Sequence, residues 1–258
     1  MFFNNLYLNR ELLLQLTLSQ IRARYKQTIF GILWAVLRPL VMMIIFTVIF
    51  SKMVKIPSDG IPYPIFCYCA LLPWQFLSSS FMSGTSSLVS NSTLVQQIYF
   101  PREIFPVSSV IASFIDFWIA SSVFIILLIL YKVHITFYAL FAVLLLILQI
   151  ILALGVSFLG SALNVFYRDI GHALTFIIQI WMYATPIIYP VSVVPEKLRP
   201  FYLLNPMAGI IDGYRRVIIQ GLPPDWQYVG IATVVTLLVL IFSYKYFKKV
   251  EMKFADVI

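Results

Sequence analysis

The sequence is poor in charged residues and in residues that bind metals. Only 11% of its 258 residues are Asp, Glu, Lys or Arg, and it has two cysteines and two histidines. Soluble domains carry about 25% charged residues, so this composition excludes a water-soluble fold. The 61% of hydrophobic residues, which include 22 Phe, 15 Tyr and 5 Trp, also exclude a disordered chain. The composition is therefore that of a polytopic membrane protein.

Motifs of enzymes and nucleotide-binding proteins are missing from the chain. It contains no G-x-x-x-x-G-K-[ST], G-x-G-x-x-G, H-E-x-x-H or C-x-x-C. The first of these cradles ATP phosphates, so the chain is not expected to bind ATP by itself. His134 and His172 are far apart in sequence, and we predict neither catalytic residues nor a metal site. The net charge of +8 is typical of cytoplasmic flanks that face anionic lipid, so we predict no nucleic-acid partner.

Long intervals without charge divide the chain into membrane spans. A helix needs about 20 residues to cross a hydrocarbon core of about 30 Å. Two of the intervals are too short alone and are joined across Asp116, and the first span extends back through Arg38. We thus predict an all-helical protein with six transmembrane helices, at residues 30–51, 61–84, 105–131, 136–163, 171–190 and 226–245.

Six spans place both termini on one side of the membrane. With the termini in the cytoplasm, ten Lys and Arg residues lie inside and seven outside, as the positive-inside rule prefers. Arg38 and Asp116 then lie about 12 Å and 16 Å into their spans from the cytoplasmic side. Arg38 either pairs with Asp116 within the membrane or extends to the lipid headgroups. A lone deep carboxylate also leaves open an ion-coupled transporter that uses Asp116 as its relay.

Residues 5–27 precede the first span and are predicted to form an amphipathic helix. Their apolar residues at helical spacing are Leu14, Leu18, Ile21 and Tyr25. This spacing gathers the side chains on one face, as in a helix that lies in the membrane interface. The alternative is a short cytoplasmic arm packed on other parts of the protein.

Residues 78–106 connect the second and third spans on the cytoplasmic side. The segment from Ser78 to Thr93 contains eight Ser and two Thr, so a polar region follows the apolar part of the second span. A short helix follows, which Asn91 or Ser92 can cap and Pro101 ends. Its apolar face and its exit consist of Leu94, Val95, Ile98, Tyr99, Arg102 and Glu103. A soluble partner can push such a helix; the alternative is an ordinary connecting turn.

Residues 186–224 hold seven of the 14 prolines, which break the segment into short pieces. Several isoleucines and valines nevertheless make the segment apolar enough to enter the bilayer. Backbone that is not helical is tolerated within the membrane only where protein or a water-filled cavity covers it, because lipid cannot satisfy its polar groups. The sequence therefore predicts re-entrant helices near a pore exit on the far side of the membrane.

Two long motifs carry a family resemblance. Residues 91–95 (N-S-T-L-V) lead into 100–106 (F-P-R-E-I-F-P), and Asn164-x-x-x-Arg168-Asp169-Ile170 continues to the run from Gln179 to Pro190. With Asn205-Pro206 and the six-span layout, the chain resembles the membrane subunit of ATP-binding-cassette (ABC) exporters of cell-surface polysaccharides, which include O-antigen and teichoic acid. The motifs do not separate these substrates, and drug exporters of the superfamily share the layout.

The resemblance implies a homodimer that works with two copies of a separate ATPase subunit, which binds ATP and Mg. It implies export of a lipid-linked glycan across the bacterial inner membrane. It also implies that residues 91–103 form a coupling helix and that residues 195–222 form periplasmic gate helices. The aromatic residues within spans then become candidates for the glycan path, because sugars stack on flat ring faces. Our candidates are Trp34, Trp74, Trp181 and Tyr183; the alternative is an aromatic belt at the membrane interface.

Overall fold

The computed structural model describes residues 6–97 and 100–258, and every regular element within those ranges is helical. In chain order the helices are α1 (Arg10–Tyr25), α2 (Gly31–Met53), α3 (Tyr63–Ser90), α4 (Ser92–Gln97), α5 (Ile104–Leu130), α6 (Phe137–Phe166), α7 (Asp169–Tyr183), α8 (Arg199–Tyr202), α9 (Pro206–Tyr214, continued by wider turns over Arg215–Gln220), α10 (Trp226–Val250) and α11 (Phe254–Val257). Helices α2, α3, α5, α6 and α10 are long and apolar enough to cross a membrane. The prediction of an all-helical polytopic membrane protein is confirmed.

The predicted span 171–190 is occupied by α7, which has 15 residues and is shorter than the other five. At its start, the Gly171 amide donates a hydrogen bond to the Asn164 side chain near the end of α6 (3.1 Å). Beyond its end, the Ile188 carbonyl accepts a hydrogen bond from the hydroxyl of Tyr63, the first residue of α3 (2.8 Å). Residues 169–188 therefore run from one end of the bundle to the other. Together with the five long helices, they bring to six the number of times that the described chain crosses the bundle.

Helix α3 lies at the centre of the bundle, where it packs against α5 and α6. Two glycines allow α3 and α6 to come close together. A Cβ atom on Gly160 would lie 2.1 Å from Oγ1 of Thr85, and one on Gly84 would lie 2.5 Å from Oγ of Ser157. Because no larger residue fits at these contacts without displacement, the glycines set the distance between the two helices.

The first and last described helices, α1 and α11, lie at one end of the bundle, which we call the terminal end. A group of buried residues, the terminal cluster, joins them there; it includes Leu16, Leu88, Val95, Phe105, Phe158, Phe247 and Phe254. The cluster thus brings together α1, the short helix α4, parts of the four long helices α3, α5, α6 and α10, and the C-terminal helix α11. This arrangement is the one that an even number of membrane passages requires, while the side of the membrane stays a prediction.

Helix α1 folds back along α5. Leu16 and Thr17 are buried, and Gln20 Nε2 donates a hydrogen bond to Oγ of Ser108 on α5 (2.9 Å). Leu14 and Leu18 are 60% and 43% exposed. The helix therefore packs on protein by one face and presents apolar residues on another, as an interfacial helix would present them to lipid.

At the opposite end, α9 packs against α3, α6 and α10. Asn205 begins the helix by accepting a hydrogen bond from the Met207 amide (3.1 Å). The Tyr214 hydroxyl donates a hydrogen bond to Oε1 of Gln149 (3.2 Å), which lies about 18 Å into α6 from the opposite end. The segment ends at Gly221, whose φ of +66° suits glycine, and a Cβ there would lie 2.8 Å from Thr136, just before α6. We call α9 the re-entrant helix after the sequence prediction for residues 195–222, and its entry into the bilayer stays a prediction.

Candidate functional site

The short helix α4 occupies the predicted coupling segment, and Asn91 separates it from α3. The Asn91 side-chain amide donates to the Ser87 carbonyl (2.8 Å), so this side chain caps the end of α3 instead of the start of α4. The Asn91 carbonyl accepts from the Leu94 and Val95 amides and thereby starts α4. Asn91 alone therefore joins α3 to α4, with hydrogen bonds to both helices.

The apolar face predicted to meet an ATPase is partly used within the chain. Val95 is only 2% exposed and belongs to the terminal cluster, and Leu94 is half-buried. Thr93, Gln96 and Gln97 are exposed instead. Val95 is thus corrected from an intersubunit contact to an internal packing residue, because α11 covers it. Ile98 and Tyr99 lie outside the described residues.

The exit of the coupling segment is clamped to the end of α10. Glu103 is fully buried, and its carboxylate lies 2.6 Å from Nζ of Lys248 and accepts a hydrogen bond from the Tyr244 hydroxyl (3.2 Å). Lys248 also pairs with Glu251 (2.8 Å). The Arg102 amide donates to Oε1 of Glu251 (3.0 Å), and the Arg102 guanidinium donates to the Glu251 carbonyl. We call these five residues the exit clamp.

The C-terminal part of the chain supplies the partners of Arg102 and Glu103 in the exit clamp. Sequence reasoning assigned no role to Lys248 or Glu251 beyond their charge, although they are three residues apart and so lie on one helix face.

Asp116 forms an ion pair, but with Arg24 and not with Arg38. Nη1 of Arg24 lies 2.6 Å from Oδ2 of Asp116, and Nη2 donates to Ser83 and Ser113 (3.1 Å each). Arg38 has no ion pair with Asp116 among the residues that the structure describes. The predicted pair is corrected because α1 folds back to the depth of Asp116, which arithmetic on the spans alone did not include.

Tyr25 completes this polar group. Its hydroxyl donates a hydrogen bond to Oδ1 of Asp116 (2.6 Å). Burial and then this hydrogen bond raise the pKa of Tyr25 above its ordinary value of 10. The Tyr25 hydroxyl therefore remains a donor at neutral pH. Asp116 accepts hydrogen bonds from two residues of α1, Arg24 and Tyr25.

A cavity of about 580 Å³ lies beside the Arg24–Asp116 pair, and α1, α2, α3 and α5 line it. Its walls include Arg38, Trp34, Gln75 and several serines. The structure therefore places Arg38 and the candidate Trp34 in one polar and aromatic cavity.

The other three aromatic candidates have different surroundings. Trp74 is 5% exposed, and its ring meets that of Trp181 edge to face, with centroids 5.8 Å apart. Nε1 of Trp181 donates a hydrogen bond to Asn205 (2.9 Å), which starts the re-entrant helix. Tyr183 is 53% exposed. The structure thus brings Trp74 and Trp181 together and leaves Trp34 and Tyr183 apart from them.

Arg215 follows Tyr214 directly and is buried within the bundle. Its guanidinium donates to the Phe66 and Ile187 carbonyls (3.3 and 2.8 Å) and lies 3.5 Å from the centroid of the Phe66 ring. It thereby ties the re-entrant segment to both α3 and the chain that follows α7. No local sequence pattern indicates this role, since the carbonyls come from distant segments.

A helical bundle that passes six times between its ends, with five helices long and apolar enough to cross a membrane, defines a polytopic membrane protein. Comparison with known proteins gives the family. The family model described as "ABC-2 type transporter" matches residues 11–219. The chain therefore belongs to the ABC-2 type transporter family.

Relatives cover nearly the whole chain. It is 29% identical over 249 residues to an O-antigen export system permease protein of Klebsiella pneumoniae, which covers 96% of this chain and 95% of the relative. A protein with the same description from Myxococcus xanthus is 27% identical over 254 residues, covering 97% and 96%. A polysialic acid transport protein of Escherichia coli is 22% identical over 238 residues, covering 89% and 91%.

Proposed function

We propose that this chain is the membrane subunit of an ABC exporter that moves a lipid-linked polysaccharide of the O-antigen type across the bacterial inner membrane. The observation that carries the proposal is the similarity to O-antigen export permeases, which extends over 96–97% of the chain. A family model alone would leave the substrate open, because it describes ABC-2 transporters in general.

Energy comes from a separate ATPase subunit in this proposal. The chain has no loop of the kind that cradles ATP phosphates, so ATP and Mg belong to the partner. Two ATPase copies act on a homodimer of this chain, each against one coupling segment. The exposed residues Thr93, Gln96 and Gln97 give that segment a polar outer face that a soluble subunit can contact.

The proposed homodimer follows from the size of the cargo. Helix α3 fills the centre of one bundle with buried side chains, whereas a hydrated glycan needs a wide path. Two copies related by a two-fold axis can line a wider path between them. In this arrangement the terminal end, with both termini, lies in the cytoplasm and the re-entrant helices lie at the periplasmic exit.

Within that path, Trp34 is the best placed of the four aromatic candidates. It is 38% exposed and lines a cavity that also contains polar side chains. Trp74 and Trp181 support the re-entrant helix through Asn205 and are proposed to contact glycan only if their pair opens.

A complementation experiment tests the proposed substrate. A bacterium that lacks its own O-antigen export permease is supplied with this chain together with its ATPase, and surface glycan is measured with a specific antibody. Restored surface glycan, absent when either subunit is omitted, is the expected result. Glycan that accumulates inside while a membrane-permeant drug is pumped out would contradict the proposal and favour a drug exporter.

A further inference from the structure

We infer that helix α10 carries the motion of the coupling segment to the re-entrant helix, and that Glu103 and Lys248 are positioning residues for this transfer. The inference rests on the proposed function, since it requires an ATPase that displaces the coupling segment. The coupling segment is joined covalently to α3 and α5. The structure adds a third, noncovalent connection, to α10.

The first part of this connection is the exit clamp. Glu103 is fully buried and lies 2.6 Å from Lys248, which is in the last turn of α10. A buried carboxylate loses most of its hydration, so separation from its cation would leave an uncompensated charge. Glu103 and Lys248 must therefore move together when the segment between α4 and α5 is displaced.

A second contact between the coupling segment and the C-terminal part of the chain lies at the same end of the bundle. Helix α11, which continues α10 after a short turn, packs on α4. Val95 of α4 and Phe254 of α11 are both buried in the terminal cluster. Close-packed apolar contacts of this kind transmit displacement because the interior has few voids to absorb it. The coupling segment is thus held to the C-terminal part of the chain by charge and by packing.

The far end of α10 is in equally close contact with the re-entrant helix. A Cβ atom on Gly209 of α9 would lie 2.6 Å from the Tyr228 carbonyl oxygen and 3.1 Å from Cβ of Ala232, both on α10. Val229 and Ala232 are buried beside this contact. With backbones this close, α9 and the start of α10 cannot slide past each other without losing the contact.

Helix α10 is long enough to join the two sites. Its 25 residues span about 37 Å, which exceeds the thickness of the hydrocarbon core. A regular helix resists bending and stretching, so a shift or tilt imposed at Lys248 reaches Val229. Helix α10 therefore links the ATPase side of the protein mechanically to the re-entrant helix at the opposite end.

The test uses the complex of the chain with its ATPase in vesicles, in which glycan exported per ATP hydrolysed is measured. Glu103→Gln keeps the size of the side chain but removes its charge, and Lys248→Met removes the cation. Each should lower the export per ATP about tenfold, within the usual range of coupling between linked sites. Lys249→Met removes an exposed cation one residue further on and serves as the matched control, with export per ATP unchanged.

A second readout reports on the re-entrant helix itself. Leu204 is exposed just before α9, while Cys67 and Cys69 are buried, so Leu204→Cys provides an accessible thiol for a membrane-impermeant maleimide. ATP turnover should change its labelling rate in the otherwise native complex. Glu103→Gln should remove that change, and the exchanged pair Glu103→Lys with Lys248→Glu should restore it, which a merely structural role would not produce.

The outcomes separate the inference from the proposed function. If the native complex exports glycan but the clamp variants keep normal export per ATP, or if native labelling does not respond to ATP, the inference is overturned alone. If the native complex exports no glycan, the proposed function fails and the inference with it. Should Glu103→Gln not assemble with the ATPase, Glu251→Gln weakens the same clamp from a partly exposed position, and unchanged export per ATP there overturns the inference.

Discussion

Arg24 of the N-terminal helix and Asp116 of the third long helix form an ion pair of 2.6 Å across 92 positions of sequence. The pair fastens α1 to the bundle beside the cavity that contains Trp34 and Arg38. Helix α1 is therefore part of the cavity wall, and its position depends on a polar contact as well as on Leu16.

The first prediction concerns this pair. Arg24→Gln should lower the free energy of unfolding by about 2 kcal/mol, the usual contribution of hydrogen bonds to a charged group. Arg22→Gln changes an exposed residue of the same helix and should have little effect. Thermal unfolding of the purified chain in lipid nanodiscs measures both. Equal melting temperatures for the two variants would contradict the assigned role of Arg24.

The second prediction concerns pH. Because folding raises the pKa of Tyr25 above 10, its contribution to stability is fully present below about pH 10 and is lost as the pH rises through the folded-state pKa. The difference in unfolding free energy between the native chain and Tyr25→Phe should be constant between about pH 7 and 9 and shrink above about pH 10. A difference that already changes between pH 7 and 8 would point to another titrating group.

The third prediction concerns the coupling segment. Val95→Asp places a charge in the terminal cluster and should cost several kcal/mol, about 3 or more, and so reduce the amount of folded protein. Gln96→Asp introduces the same charge on the exposed neighbouring residue. That variant should fold normally and weaken ATPase binding, as measured by co-purification. If Val95→Asp folds with native stability, the packing assigned to Val95 is wrong.

The fourth prediction concerns the approach of α3 and α6. Gly160→Ala should destabilise the protein by about 1–3 kcal/mol, because its Cβ would lie 2.1 Å from Thr85. Gly230→Ala meets no atom within 4 Å and should stabilise α10 by up to about 1 kcal/mol. Melting temperatures should therefore shift in opposite directions. A stabilising Gly160→Ala would show that the helices are further apart than described.

The fifth prediction concerns the glycan path. Trp34→Ala should reduce export while leaving assembly with the ATPase intact, since Trp34 is partly exposed within the cavity. Trp118→Ala removes a ring of α5 that is 56% exposed and is not among the residues that line the cavity, so it is the matched control. Surface glycan per cell, normalised to the amount of assembled complex, measures both. Equal export from the two variants would contradict a role of Trp34 in the glycan path and favour the alternative, an aromatic belt at the membrane interface.

The helices could be predicted because hydrocarbon thickness limits their length and charges mark their ends. The predicted span 105–131 corresponds to Ile104–Leu130, and 226–245 to Trp226–Val250. The span 171–190 was harder to judge, since α7 is short and the rest of the passage is irregular. Prolines after Thr185 explain why the helix does not continue.

The partners of individual side chains could not be predicted in the same way. Depth arithmetic placed Arg38 near Asp116, but which cation reaches a carboxylate depends on how α1 folds back along α5. The apolar spacing around Val95 correctly indicated a buried face, yet periodicity does not reveal which element covers it. Lys248 and Glu251 find Glu103 only through the packing of the bundle.

The measurement that tests the account most directly is glycan transport by purified components. The chain and its ATPase are reconstituted together in vesicles with a radiolabelled lipid-linked glycan, and protected label is followed after ATP is added. The account predicts ATP-dependent movement of glycan that requires both subunits, with no ATP hydrolysis by this chain alone. ATP hydrolysis by the isolated chain, or glycan movement driven by an ion gradient without the ATPase, would contradict it.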